Sequence, residues 1–252
     1  GLLKKDQALL AKRPVRNPHH SASAPSLVGG GAVPRPGELS LAHYGLLFLD
    51  EFPEFPRAVL ETIRQPLEDG QVTISRAAGT MTFPANFMLV AAMNPCPCGY
   101  LTDPKRKCKC SPNQVEKYLA KISGPLVDRI DIHIDVPAVS FNALNSDILG
   151  TSSAEMREQV IRARTVQAQR FGRGVNCTNA SMSSRLLRQH CRLDTTGQEI
   201  IKNAVYEMGL SARAHDKVLK IARTIADIEG HQQIQPHHLQ EAVQYRRLDR
   251  QY

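Results

Sequence analysis

Two carboxylates, Asp50 and Glu51, close the run Leu46-Leu47-Phe48-Leu49 in HYGLLFLDEFPEFP, residues 43–56. Four apolar residues without alternation are too few for a helix and read as a parallel strand buried on both faces. Charge is costly to hold beside such a strand, so an acidic pair there needs a reason. The carboxyl end of a strand is where open α/β sheets place ligands. In phosphate chemistry a first carboxylate holds Mg²⁺, usually through water, and a second orients or deprotonates the attacking water. The plainer alternative is that Asp50 caps the next turn and Glu51 is solvated.

Other residues bear on the same chemistry. Asn94 ends a second apolar run, FMLVAAM at 87–93. If the two strands are neighbours, its amide lies beside the acids and can hold a water and a phosphate oxygen at once; an Asn-Pro turn is its other reading. Arg129, in LVDRID, precedes the alternating stretch Ile130, Ile132, Ile134, Val136, where a catalytic role competes with an ordinary ion pair to Asp128 or Asp131. Cys96, Cys98, Cys108 and Cys110 make two Cys-x-Cys pairs in CPCGYLTDPKRKCKC. Four thiolates suit tetrahedral Zn²⁺, although the one-residue gap is tighter than usual, and metal-free thiols or disulfides compete. Lys105, Arg106, Lys107 and Lys109 among them form a basic knob for DNA or simply for solvent. His19 and His20 in NPHHS are candidate ligands, with unliganded loop histidines the default, and His237 and His238 after Pro236 are expected at the surface.

The elements that must position these groups are legible in outline. Residues 14–40 are crowded with Pro, Gly and Ser and read as a long loop. Leu60, Ile63 and Leu67 share helical spacing that Pro66 must kink or end. QVTISRAAGTMTF, 71–83, alternates on both sides of Gly79 and reads as a hairpin. From Ser111, Pro112 opens a helix carrying Val115, Tyr118, Leu119 and Ile122 on one stripe, with Gly124 as its stop. A strand is expected over 130–136, a linker over 138–153, and helices thereafter, most clearly at 211–230. The expectation is an α/β part, 1–139, followed by an all-helical part, 140–252.

Bulk composition narrows the class. At 252 residues and 42% hydrophobic content the chain can bury a real core. A net charge of +8 keeps a polyanion among the partners. No run approaches the roughly 18 apolar residues of a membrane helix, and no apolar segment follows the basic start, so a cytoplasmic protein is expected. Four clustered cysteines with Cys177 and Cys191 apart are unlike a secreted disulfide framework.

Taken in order, these stretches resemble an AAA+ ATPase. GLLFLDE is similar to the Walker B strand, LVAAMNP to the first sensor, LVDRID to the arginine finger, and LSARA to the second sensor, with Arg213 at a helix N-terminus. RPVRNPHHSASAPSLVGGG, LDEFPEFPRAVLETIRQPLEDG and ISRAAGTMTFPANFMLVAAMNPCPCG resemble the Mg-chelatase-like branch, and within it the ComM/YifB group. The resemblance implies a partial P-loop parallel-sheet core and a helical lid. It implies ATP and Mg²⁺ as cofactors, Asp50 on Mg²⁺, Glu51 polarising water, Asn94 sensing the γ-phosphate, Arg129 acting across a subunit boundary and Arg213 from the lid. It further implies a homo-oligomeric ring, typically a hexamer, and a DNA-handling motor. The hairpin at 71–83 matches the family's pre-sensor insertion, and Arg76 near its tip is placed to touch nucleic-acid phosphate; an ordinary surface turn is the alternative.

One departure stands out. No G-x-x-x-x-G-K-[ST] loop occurs, and Gly29 to Gly31 are no substitute, since no Lys-Ser or Lys-Thr follows. The expectation is a piece lacking the front of the ATPase domain and the Lon-like domain of this group, unable to bind or hydrolyse ATP alone. Rival readings are a chelatase-type motor that remodels a metal-insertion complex and a non-catalytic zinc-bearing interaction module.

Overall fold

The computed structural model describes residues 12–76, 79–137, 139, 150–172 and 178–246. The chain divides into two compact units, Gly1–Ile130 and Asp131–Tyr252. Cys177, most of the linker at 138–153 and the hairpin tip at 77–78 lie outside the described residues.

The first unit is built on a parallel sheet. Strand β1 (Val15–Arg16) pairs with β4 (Leu46–Leu49), and β4 pairs with β7 (Met88–Ala91), in the order β1-β4-β7. The register sets Val15 against Leu46, and Leu46 to Leu49 against Met88 to Ala91. β4 is therefore central, and Leu47 and Leu49 are fully buried. Gly45 permits the close approach of β1: a Cβ there would lie 2.0 Å from the Pro14 carbonyl oxygen, which accepts the Leu46 N–H at 2.9 Å.

The Pro/Ser-rich stretch before β4 is more ordered than its composition suggests. It holds α1 (Ala24–Val28), the small antiparallel pair β2 (Gly29–Gly30) and β3 (Arg35–Pro36), and α2 (Glu38–Leu41). Ser23 caps α1, Pro25 opens it and Leu27 is fully buried; Pro and Ser here are helix-start chemistry rather than loop chemistry. Glu38 accepts two hydrogen bonds from Arg16, at 2.5 and 2.7 Å.

After β4, the expected kink at Pro66 resolves into two helices, α3 (Arg57–Glu61) and α4 (Arg64–Asp69). The break falls before Pro66, which sits in the first turn of α4, where a missing N–H leaves no bond unmade. Gly70 then ends α4 in the left-handed region (φ 64°). β5 (Gln71–Arg76) and β6 (Gly79–Pro84) form the hairpin, paired from Gln71–Pro84 to Arg76–Gly79. Val72 and Ile74 face inward, while hydroxyl pairs Thr73–Thr82 and Ser75–Thr80 bridge the outer face at 2.9 and 3.0 Å. Helix α5 (Pro112–Leu119) opens on a capping box of Ser111 and Gln114. Gly124 is not its stop: α5 ends at Leu119, and Gly124 begins a separate short helix, α6 (Gly124–Val127).

The expected strand over 130–136 does not form. Among the described residues this stretch carries no strand pairing. Ile132, Ile134 and Val136 are exposed while His133 is buried, the reverse of what alternation suggests. Period-2 patterning produces a strand only when a sheet edge accepts its backbone; here the His133 N–H donates to the Tyr245 carbonyl oxygen at 2.8 Å.

Among the described residues, all regular elements of the second unit are helical: α7 (Ser153–Phe171), α8 (Ser184–His190), α9 (Thr195–Met208), α10 (Ala212–Glu229) and α11 (Pro236–Gln244), with a 3-10 turn at Asn179–Ser181. Ser152, Ser183, Asp194 and Ser211 cap the first four N-termini. Val218, Leu219, Ile221 and Ala222 of α10 pack with Leu187, Ile201, Ala204, Leu239 and Ala242; fully burying one such large aliphatic side chain contributes about 1.5–3 kcal/mol. A buried polar cluster interrupts this core: Asp227 accepts hydrogen bonds from Arg170, Arg223 and Asn179. No described helix is long and apolar enough to cross a membrane.

Candidate functional site

Asp50 and Glu51 leave the end of the central strand, and both are exposed. The Asp50 Oδ1 accepts the Glu51 N–H at 2.9 Å, so Asp50 does close its own turn. Glu51 sits in the left-handed region, φ 51°, ψ 46°. A non-glycine residue there costs of order 1–3 kcal/mol and persists only where its surroundings fix it. The fixing residues are visible. Phe52 and Phe55 are buried immediately behind it, and the Phe52 N–H donates to the Ala92 carbonyl oxygen at 2.9 Å. That bond ties the acidic turn to the chain leaving β7, two residues before Asn94.

The structure thus makes β4 and β7 neighbours, the arrangement under which Asn94 follows the strand next to the acids. Tyr118 on α5 is buried, and burial, with Glu54 nearby, raises its phenol above the ordinary value against the opposing pull of the Asn94 backbone. Lys121, just past α5, pairs with Glu54 at 3.3 Å.

A partner not identified from the sequence is His20. Its Nδ1 lies 2.8 Å from Glu51 Oε2, and its ring meets Phe55 edge-on at 6.4 Å. By residue type His20 is a candidate metal ligand, yet neither His19 nor His20 belongs to a metal-competent cluster among the described residues. A hydrogen bond across 31 positions has no local signature; only the functional look of the NPHHS loop hinted at it.

Arg129 follows α6 and is pinned in its own unit. Its Nη2 pairs with Glu68 at 2.7 Å, its Nη1 donates to the Pro125 carbonyl oxygen at 2.6 Å, and its side chain is 12% exposed. The expected ion pair exists, but with Glu68 of α4 rather than with Asp128 or Asp131. Arg76 ends β5, exposed, with Nη1 on the Ser75 carbonyl oxygen at 3.0 Å. Arg213 lies in the first turn of α10, exposed, in the second unit.

The four cysteines converge just past Asn94. Sγ separations are 3.4 Å for Cys96–Cys98, 3.7 Å for Cys96–Cys108 and 3.5 Å for Cys98–Cys108, and all four sulfurs lie within 4.8 Å of one another. Tetrahedral Zn²⁺ with 2.3 Å bonds sets edges of about 3.8 Å, so the donor set fits. N–H groups of Tyr100 and Lys109 stabilise the Cys98 thiolate and bring its pKa down to about 6. The Cys110 N–H pulls Cys108 down, but burial and the neighbouring thiols push it up to about 12. Asp103 accepts the N–H groups of Lys105 and Arg106 at 2.7 and 2.9 Å, and Arg106 stacks on Tyr100 at 5.2 Å. This folds the loop so that Lys105, Arg106, Lys107 and Lys109 are exposed.

In the second unit the surface expectation for the paired histidines holds only for His237. His238 is fully buried, because its side chain caps the N-terminus of α11.

Comparison with known proteins agrees with this architecture. The family model for magnesium chelatase, subunit ChlI, matches residues 1–144, and that for its C-terminal region matches residues 150–246. Competence protein ComM of Haemophilus influenzae is 47% identical over 240 residues, covering 95% of this chain and 46% of ComM. The uncharacterized protein YifB of Escherichia coli K12 is 45% identical over 240 residues, again 95% of this chain and 46% of that protein. The chain spans about half the length of these relatives. By both the matched span and the degree of identity, the chain belongs to the magnesium chelatase ChlI family, in the group that holds ComM and YifB.

Proposed function

We propose that this chain is part of an ATP-driven DNA motor, a ring-forming AAA+ ATPase that moves or remodels branched DNA in the cytoplasm. The observation that carries the reading is the acidic pair at the carboxyl end of the central parallel strand, with Glu51 held in a strained backbone conformation by Phe52 and Phe55 and its carboxylate on His20. The competence protein among the relatives supports DNA as the polymer.

In this reading Asp50 would hold hydrated Mg²⁺ through its carboxylate. The metal, when bound, offsets charge on the nucleotide phosphates. Glu51 orients the attacking water and takes its proton, while His20 keeps the carboxylate aimed. Asn94 holds a water and a phosphate oxygen. Arg129 leaves Glu68 to stabilise charge in a neighbouring subunit's site, and Arg213 approaches phosphate from the lid. The carboxylate side of the site fits such a ligand; the phosphate cradle does not occur in these 252 residues, so hydrolysis requires a longer chain that supplies one. Calorimetry on the 252-residue chain should show no saturable micromolar ATP binding.

DNA contact is assigned to Arg76 and to the basic loop at 105–109. Arg76→Ala in the full-length protein should weaken DNA stimulation of ATPase activity and lower the slope of log affinity against log salt by about one unit. Stimulation by branched DNA equal to wild type would retire that assignment. No stimulation by any DNA would favour a motor that acts on a protein complex.

The cysteine quartet is proposed as a structural Zn²⁺ site that staples residues 96–110 beside Asn94. Protein purified without chelator should carry one zinc lost by Cys98→Ser. Stripping a site filled at 100 times its Kd removes about 2.7 kcal/mol, or about 10 °C in the thermal midpoint of a unit this size. A zinc-free protein with the same midpoint would leave the thiols as ordinary side chains.

A further inference from the structure

The junction between α10 and α11 gathers a second set of donors. Glu229 is the last residue of α10; Gly230 ends the helix in the left-handed region (φ 80°), and the His231 N–H turns back onto the Ala226 carbonyl oxygen at 2.8 Å. The chain re-enters a helix at Pro236, which brings His237 and His238 back beside Glu229. Its Oε2 lies 2.9 Å from His237 Nε2, 2.9 Å from His238 Nε2 and 3.4 Å from His231 Nδ1. His231 Nδ1 is 3.1 Å from His238 Nε2, and all four donor atoms fall within 4.8 Å of one another.

Hydrogen-bond bookkeeping assigns the tautomers. His238 Nδ1 accepts the Gln235 N–H at 2.8 Å, so in the neutral ring the proton sits on Nε2, which donates to Glu229. His238 Nε2 therefore has no lone pair for a metal. Against that N–H, His231 Nδ1 is an acceptor, and its lone pair points into the cluster. His237 Nε2 faces the same carboxylate from the surface. Three imidazoles thus crowd one oxygen, although His231 Nδ1 donates nothing to it, and the two exposed rings are free to present nitrogen lone pairs.

We infer that His231 Nδ1, His237 Nε2 and the Glu229 carboxylate form a binding site for a divalent transition-metal ion such as Zn²⁺, Co²⁺ or Ni²⁺. The observed separations of 2.9 and 3.4 Å bracket the edge of about 3.3 Å set by tetrahedral bonds of 2.0–2.1 Å. Two imidazoles and a carboxylate suit these ions rather than Mg²⁺ or Ca²⁺. His238 acts outside the ligand set: its N–H orients the carboxylate, the second-shell support that ligating carboxylates usually have. His231, His237 and Glu229 are all partly exposed, so an ion can enter and keep water on its open positions. Bound there, it clamps the end of α10 to the start of α11.

The test uses the untagged, chelator-stripped 252-residue chain and Co²⁺ as the probe. Thiolate ligation by the cysteines gives intense near-ultraviolet charge-transfer bands, whereas the nitrogen and oxygen site contributes only weak visible bands. Equilibrium dialysis should show one Co²⁺ equivalent beyond that accounted for by charge transfer. His231→Gln/His237→Gln should lose that equivalent, keep the cysteine bands and melt like the wild type without metal. Retention of the extra equivalent by the double variant, or its absence from the wild type, overturns the site. Both ligands are exposed, so the substitutions test binding rather than folding, and neither outcome depends on ATPase or DNA activity.

Discussion

Glu51→Gln in the full-length protein is expected to lower the ATP turnover number by about 10²–10⁴-fold, the usual contribution of a positioned general base. Nucleotide affinity should change little, because the substitution removes the proton acceptor but keeps the shape and the capacity to hydrogen-bond His20 at the 2.8 Å position. Folding should be preserved: Glu51 is exposed, and its turn is fixed by Phe52 and Phe55 rather than by its charge. Steady-state kinetics with nucleotide binding measured in parallel check this. A variant that keeps more than a tenth of wild-type turnover would remove Glu51 from the chemistry. The backbone supplies an independent readout. Glycine tolerates φ 51° without the side-chain penalty, so Glu51→Gly should be no less stable than Glu51→Gln yet equally inactive. Strain relieved without activity restored is the signature of a residue held for function.

The second large effect lies in the helical unit. Asp227 has no exposed side-chain surface, and Arg223 (2% exposed) and Arg170 (13%) bond to it. Asn179 Nδ2 adds a hydrogen bond at 2.8 Å. Asp227→Ala leaves two guanidinium groups facing an empty, buried position and should cost about 3–5 kcal/mol, or about 10–20 °C in the melting of that unit. The pH dependence has a definite sign. Burial alone would raise the Asp227 pKa, but hydrogen bonds from Arg170 and Asn179, with the charge of Arg223, carry it below its ordinary value. A carboxylate depressed in the folded state contributes stability that is complete above the unfolded pKa, about 3.9, and is lost as pH falls through the folded value. Melts from pH 7 to pH 3 should show a steeper acid limb for wild type than for Asp227→Asn; parallel curves would mean that the carboxylate is not ionised in the folded unit.

Much of the local architecture was written in nearest-neighbour chemistry. Leu46 to Leu49 announces a buried strand because four apolar residues in a row suit a two-faced burial. The hairpin follows from alternation about Gly79. Capping residues mark the helices because the first backbone N–H groups need acceptors, and Ser111 and Ser211 supply them. The same reasoning failed at 130–136, where alternation is present but no sheet edge takes the backbone, and at Gly124, where a residue typical of helix ends begins a helix instead. It also undervalued the Ser/Pro run at 23–25, which starts α1 rather than filling a loop.

The sequence by itself determined which groups are available for chemistry and where the chain must turn: the adjacent acids after an apolar strand, the four thiols and the capped helices, all of which depend on residues a few positions apart. Only the tertiary structure decided who meets whom. His20 reaches Glu51, Arg129 is held by Glu68, and Glu229 is ringed by His231, His237 and His238. Those contacts are set by strand order, register and the angle at which one helix follows another. The physical reason is that a side-chain hydrogen bond is satisfied within about 3 Å, whereas the backbone path joining its two ends leaves no trace in composition or period.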